Sequence, residues 1–260
     1  MALIPAERQS RILDLVSQRP AVGIAELTRL LRVSHMTVRR DIRALEEAGR
    51  VIAVAGGVRL ADPNLSREAP HAAKAALNRT AKAAIGGAAA RLIPQGAAIY
   101  LDAGTTILAL AARLAQRDDL TIVTNDFAVM ELLSSHGGSV LHHTGGLVDR
   151  ENRSAIGDGA ARAIRSFQFD IAFISSSSFS AAGLSVTDPG KGAVKEAAVA
   201  SAASSILLAD SSKFGRRAPY ASVPMQAFDT LVTDADFLPE CVETIEGLGL
   251  TVIRGRGETA

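Results

Sequence analysis

The sequence predicts two parts: a small, mainly helical head and a larger α/β body, a mostly parallel sheet flanked by helices. Three observations predict it. Residues 1–60 hold ten arginines and six carboxylates, whereas the other 200 residues hold 18 basic and 21 acidic groups. Apolar residues of the head recur at helical spacing. Beyond residue 92, short β-prone runs that are apolar on both faces alternate with helical stretches, the pattern of a sheet covered on both sides. At 260 residues there is ample material for a core. The expected boundaries are 1–60 for the head, 61–73 for a linker and 74–260 for the body.

In the head, Ile12, Leu15 and Val16 give a first helix its apolar face, and Pro20 to Gly23 break it. Ile24, Leu27, Leu30 and Leu31 do the same for a second helix, and a tight Arg32-Val33 connection leads to a third. Ser34 suits the N-cap of that third helix, because its hydroxyl can accept from a free amide of the first turn. Val38, Ile42 and Leu45 form its buried stripe, which places Met36, Arg39, Arg40 and Arg43 on the outer side. Gly49 suits the C-terminal stop. Three short helices with a brief turn before the third describe a helix-turn-helix, whose last helix enters the DNA major groove by its N-terminal part. Arg50 to Val54, a Gly56-Gly57 turn and Val58 to Leu60 then read as a small β-wing. A protein-interaction module with a solvated basic face uses the same pattern; the basic head on an acidic body favours nucleic acid.

Ala61 to His71 is polar, holds two prolines and lacks apolar periodicity, as a linker does. From Lys74 the chain is Ala-rich and reads as helix through Leu92. Six β-prone runs follow: 98–101, 120–123, 171–174, 206–208, 231–232 and 251–253. The first five end in Asp102, Thr124-Asn125, Ser175 to Ser178, Asp210 and Asp234. Ligands of open α/β sheets bind outside the carboxyl ends of the strands, so these residues mark a candidate small-molecule site.

Within it, Leu101 to Thr106 (LDAGTT) ends a strand at Asp102, turns at Gly104 and starts a helix with Thr105 and Thr106. Amides and hydroxyls at a helix N-terminus form an anion site, reinforced by the helix dipole. A Gly-Thr-Thr turn also serves simply to start a helix. Lys82, Lys195 and Lys213 are candidates to add positive charge. His142-His143 is a poor metal site, since adjacent residues on a strand point to opposite faces and no third ligand has a recognisable spacing. The Ser175–Ser178 run lacks the Gly-x-Ser-x-Gly elbow of a nucleophilic serine. Cys241 is alone, so neither a disulfide framework nor a cysteine metal cluster is expected. No apolar run approaches the ~20 residues that span a bilayer, and no signal-peptide core stands at the N-terminus. The expectation is a cytoplasmic protein without cofactor, metal or membrane partner.

With these residues in place, the chain resembles the DeoR family of bacterial transcriptional regulators. Val33-Ser34, Thr37 to Asp41, Leu45-Glu46, Gly49 and Gly56-Gly57 match its DNA-binding signature. LDAGTT, Val123 to Asn125, Gly145-Gly146, Asp170 to Phe173, Val194-Lys195, Leu208 to Gly215 and Val232 to Asp234 match its second half, in the family's order. The resemblance implies a winged helix-turn-helix joined to a sensor domain similar to ribose-5-phosphate isomerase. It implies a double-stranded DNA operator read by Ser34, His35, Thr37, Arg39, Arg40 and Arg43. It also implies a phosphorylated sugar or polyol effector that changes operator affinity. Gly104, Thr105 and Thr106 would hold the phosphate, with Lys82 assisting. Asp102, Thr124, Asn125, Ser175, Lys195, Asp210 and Lys213 would surround the sugar or order its loops. A repressor of a carbohydrate or polyol operon, self-associating as dimer or tetramer, is the leading expectation. A sugar-phosphate isomerase with an accessory head, and an activator of the same architecture, are the alternatives.

Three departures stand out. Ala53 and Ala55 occupy wing positions where relatives often carry an arginine and a histidine. Ser175 to Ser178 supply no carboxylate where isomerases place one, which weighs against catalysis. Lys191 in Asp188 to Gly192 (DPGKG) replaces a frequent acid, which points to an effector with more negative charge.

Overall fold

The computed structural model describes residues 4–17, 19, 21–47, 50–54, 56–60 and 68–255. Pro20, Gly49, Ala55 and positions 61–67 of the expected linker lie outside the described residues. The chain divides into two units, residues 1–64 with 215–217, and residues 65–214 with 218–260.

The first unit runs α1 (Pro5–Ser17), β1 (Val22–Gly23), α2 (Ile24–Leu31), α3 (His35–Glu47), β2 (Val51–Val54) and β3 (Gly57–Leu60). Its core gathers Ile12, Val16, Leu27, Leu31, Val38, Ile42 and Leu45 from the three helices and Val51 and Val58 from the wing. Leu30 differs from expectation and is 40% exposed. Leu27 and Leu31 already fill the inward face, and Leu30 lies about 100° around the helix from Leu31. Arg32 ends α2 in the left-handed region at φ 54°, which turns the chain sharply toward α3. β2 and β3 form the antiparallel wing. The short β1, where the sequence shows only a helix break, adds a third strand beside β3. Gly57 permits that pairing, because a Cβ there would lie 2.6 Å from the Val22 carbonyl oxygen. A buried ion pair ties α1 to α3: Arg8 Nε donates to Asp41 Oδ2 at 2.7 Å and Nη2 to Oδ1 at 3.0 Å.

The second unit begins with α4 (His71–Ala76), α5 (Arg79–Ala90), β4 (Ala98–Leu101), α6 (Thr105–Leu114), β5 (Thr121–Thr124), α7 (Phe127–His136) and β6 (Val140–His143). A hairpin of β7 (Leu147–Asp149) and β8 (Ser154–Ile156) leads through α8 (Gly157–Ile164) to β9 (Phe169–Ser175). Then come β10 (Phe179–Ser180), β11 (Gly183–Val186), α9 (Pro189–Ala200) and β12 (Ala202–Leu208). The last elements are β13 (Tyr220–Pro224), β14 (Thr230–Thr233), α10 (Pro239–Glu246) and β15 (Thr251–Arg254).

Seven strands form one sheet in the order β15-β14-β12-β9-β4-β5-β6, all parallel. Side chains alternate between two cores. Ile99, Leu101, Ile122 and Phe173 pack with Ile85, Ile107 and Leu110 of α5 and α6. Tyr100, Val123, Ala172 and Ile174 pack with Ala160, Val194 and Ala198 of α8 and α9. The six β-prone runs all lie in this α/β sheet. The long expected helix does not. It starts at His71, inside the expected linker, and breaks at Leu77-Asn78. Asn78 takes φ 50°, and its Nδ2 donates to Asp210 Oδ1 at 3.0 Å and Ser212 Oγ at 3.2 Å. A tertiary anchor thus overrides alanine's helix propensity.

The chain leaves β4 toward β5 and β6, then crosses back to β9 on the other side of β4. That reversal makes the carboxyl ends of β4 and β9 the topological switch point, where a doubly wound sheet opens a crevice.

Candidate functional site

On the head, α3 holds Ser34 at its N-cap, and Ser34, His35, Arg39, Arg40 and Arg43 are exposed while Thr37 is half-buried. Ser34 Oγ accepts from the Thr37 amide at 3.2 Å and lies 2.9 Å from Thr37 Oγ1. Both hydroxyls therefore fix the start of the helix. Asp41, from the same signature run, points inward to Arg8 and holds the helix at its angle. Glu46 accepts from the Ala53 amide at 2.9 Å, so the wing is tied to α3 through backbone at that position.

On the body, one cavity lies over the carboxyl ends of β4, β5 and β9. Asp102 sits at its floor. Its Oδ2 accepts from Lys195 Nζ at 2.5 Å and from the Ser175 amide at 3.0 Å, and Lys195 also donates to the Ser175 carbonyl at 2.7 Å. This clamp spans the switch point, joining the ends of β4 and β9 through a lysine of α9. Gly104 is required beside it: φ is 141°, and a Cβ would lie 2.7 Å from Ser175 Oγ. The Gly104 amide donates to Asp126 Oδ2 at 2.9 Å, and Asp126 Oδ1 caps α7 through Ala128 and Val129. Burial pushes the Asp126 carboxyl up, against the pull of those three amides. Gly104 at the N-cap of α6 provides no side-chain cap for the first turn, and Thr105 of that turn lines the cavity.

Four lysines line the cavity: Lys74, Lys191, Lys195 and Lys213. Lys213 Nζ reaches Thr106 Oγ1 and Asp210 Oδ2, each at 3.3 Å. Lys74 Nζ pairs with Glu68 Oε2 at 2.9 Å and donates to Asn152 Oδ1 at 2.5 Å. Lys191 Nζ lies 3.0 Å from Asp149 Oδ2 and 3.4 Å from the same Glu68 oxygen. Burial would raise the Glu68 carboxyl, but Lys74 and Lys191 together outweigh it and hold the group down to about 2. Burial lowers the Lys74 ammonium. For Lys191 the burial effect is outweighed by Glu68 and Asp149, and its pKa is raised.

Of the expected effector residues, Asp102, Gly104, Thr105, Asn125, Ser175, Lys195 and Lys213 line this cavity, and Lys82, Thr106, Thr124 and Asp210 do not. Asn125 is engaged already, accepting from Tyr100 OH at 2.8 Å and donating to the Ala155 carbonyl at 2.8 Å. Thr124 Oγ1 accepts from the Asp126 amide. Asp210 anchors Asn78 and Lys213. Lys82, expected beside the phosphate, is turned to the carbonyls of Lys74 and Leu77 at 2.5 and 2.6 Å. Those carbonyls end the broken helix, and a buried ammonium satisfies them. Burial, followed by Lys213, lowers the Lys82 pKa to about 8.

Sequence reasoning missed Glu68, Lys74 and Asn152. Glu68 stands in a stretch without periodicity, and Asn152 is 78 positions from the lysine it meets. The two histidines of β6 have separate partners: His143 stacks on Phe127 at 4.7 Å, and His142 lies 5.2 Å from Phe167. Among the described residues no group of three or more His, Cys, Asp or Glu is arranged to hold a metal ion, and no helix is long and apolar enough to cross a membrane.

Residues 8–64 match the DeoR-like helix-turn-helix domain and residues 77–235 the DeoR C terminal sensor domain. The uncharacterized HTH-type transcriptional regulator YgbI of Escherichia coli (strain K12) is 45% identical over 238 residues, 92% of each chain. The transcriptional repressor AccR of Agrobacterium fabrum is 33% identical over 231 residues, 88% of this chain and 89% of its own. The solved ribose 5-phosphate isomerase A of Methanocaldococcus jannaschii is 17% identical, covering 53% of this chain and 55% of its own, with a TM-score of 0.40. The α/β assignment rests on the strand order itself.

Proposed function

This chain belongs to the DeoR family of DNA-binding transcriptional regulators, and from that premise we propose that it represses a carbohydrate or polyol operon and leaves its operator when a phosphorylated metabolite fills the body's cavity. The observation that carries this reading is the cavity at the switch point: an uncapped helix N-terminus at Thr105, with four lysines around it. A phosphate there meets amides and ammonium groups together. In the reading, Ser34, His35, Thr37, Arg39, Arg40 and Arg43 meet the operator. Regulation is a linkage: the metabolite lowers operator affinity by binding the DNA-incompetent arrangement more tightly.

Self-association, as dimer or tetramer, belongs to the same reading, because helix-turn-helix pairs bind half-sites about 34 Å apart or a multiple of that. Exposed Val140 on the edge strand β6 and exposed Leu147 and Val148 of β7 support it. Catalysis is not favoured. A general base must be free to take a proton, and Asp102 and Asp210 are held by Lys195 and Lys213.

The test is an operator gel shift repeated with a panel of sugar and polyol phosphates, on the full chain and on Thr105→Leu. One compound is expected to release the wild-type protein at micromolar concentration. Thr105→Leu is expected to keep operator binding and lose release. Normal release of that variant would place the phosphate elsewhere.

A further inference from the structure

We propose that Lys74 and Lys191 form a second anion subsite in this cavity, one that takes a carboxylate, so that the effector is a phosphorylated sugar acid. The proposal rests on the effector reading above and narrows it.

Every lysine of the cavity is matched to a carboxylate of the protein. Lys195 has Asp102, Lys213 has Asp210, Lys191 has Asp149 and Lys74 has Glu68. Three of these carboxylates are built into the sheet or hairpin. Asp102 follows β4 and accepts the Ser175 amide; Asp210 follows β12 and accepts from Asn78; Asp149 ends β7 and accepts the Asn152 amide at 3.1 Å. Glu68 is different. It belongs to no helix or strand, and its Oε2 lies 2.9 Å from Lys74 Nζ and 3.4 Å from Lys191 Nζ. It is a carboxylate seated where two cations converge.

Glu68 stands where this cavity meets a second one, of about 450 Å³, that Asp149, Asn152, Ile156 and Lys191 also line. The first cavity alone has about 30 Å³, room for a water or two, whereas small-molecule sites occupy roughly 300–1,000 Å³. A sugar phosphate therefore reaches the first turn of α6 as Glu68 withdraws. The withdrawal leaves Lys74 with Asn152 and Lys191 with Asp149, one negative charge short. A neutral aldehyde or hydroxymethyl end leaves that deficit buried, which is costly. A carboxylate end replaces the lost group like for like, with charge-assisted bonds to both ammonium groups. The phosphate at the other end of the ligand lies on the first turn of α6.

Calorimetric titration of the full chain tests this. The probes are aldose phosphates and the aldonate phosphates of the same carbon chain, with four, five and six carbons, and inorganic phosphate alone. An aldonate phosphate is expected to bind at least about tenfold tighter than its aldose counterpart. Lys191→Gln is expected to bring that ratio close to one. Glu68→Gln, which removes the competing charge, is expected to tighten the aldonate phosphate by about threefold or more. Lys74→Gln repeats the Lys191 test, and the melting temperature of each variant shows that it is folded. A ratio near one in the wild type, or an unchanged ratio in both folded lysine variants, overturns the proposal. If matched pairs bind equally and Thr105→Leu weakens both, the carboxylate subsite falls and the phosphate site stands. If no phosphorylated probe binds, both readings fall.

Discussion

The head and the body both gather cations, and they arrange them in opposite ways. Arg39, Arg40 and Arg43 of α3 stand exposed on an open helix face. The cavity lysines, Lys74, Lys191, Lys195 and Lys213, have side chains only 18, 12, 9 and 15% exposed, and each faces a carboxylate. An exposed cation meets phosphate by releasing counterions, with a strong dependence on salt. A buried cation must be neutralised before any ligand arrives, or its desolvation destabilises the fold. The residue types fit this division. Arginine keeps its charge and offers a planar fork, whereas lysine is a compact charge whose pKa follows its surroundings. The head is thus built for contact with a polyanion. The body holds its cations against internal carboxylates.

The contrast breaks first at Lys195. If the cavity lysines are structural neutralisers as well as ligand groups, Lys195→Ala strands the Asp102 carboxylate, whose side chain is 2% exposed. The expected loss is about 3–5 kcal/mol in the stability of the body, read by denaturant unfolding. A variant of wild-type stability would show that Asp102 does not depend on its lysine. The same physics appears once in the head, at Arg8 and Asp41, with side chains 8 and 3% exposed. Asp41→Ala is expected to cost the head about 3 kcal/mol, toward the lower end for a broken buried pair, because the head is small and water lies close. Arg8→Lys keeps the charge but loses the fork, and lands between the two. Equal stability of all three proteins would mean that α1 and α3 are held by their apolar faces alone.

What the sequence discloses follows the range of the physics. The stripes of α1 and α3 and the six β-prone runs are written in local periodicity, and they appear in the fold as read. The strand-end residues were legible for the same reason, since the crevice rule needs only the ends of strands. Lys82 meets carbonyls of a helix break at Leu77-Asn78, where Asn78 is anchored by Asp210 and Ser212 more than 130 positions away, and local periodicity does not record that meeting. The meeting of Glu68, Lys74, Asn152 and Lys191 was illegible on the same ground. Nothing near any of these residues records the others. Lys191 alone left a trace, as a lysine where relatives often place an acid, and it sits on the cavity wall.

The smallest expected effect sharpens the comparison most. Arg40→Ala is expected to weaken operator binding by about 1–3 kcal/mol, roughly thirtyfold at the middle of that range. If Arg40 meets a phosphate, the slope of log affinity against log salt falls by about 1, and the loss is alike for operator and unrelated DNA. If it meets a base edge instead, the loss is confined to the operator and the salt slope hardly moves. Effector binding, measured over the same salt range, is expected to change far less, because the cavity ions exchange partners out of reach of bulk screening. A steep salt dependence for the effector would show that its anions stay in solvent contact, and would put the cavity lysines in the same class as the arginines of α3.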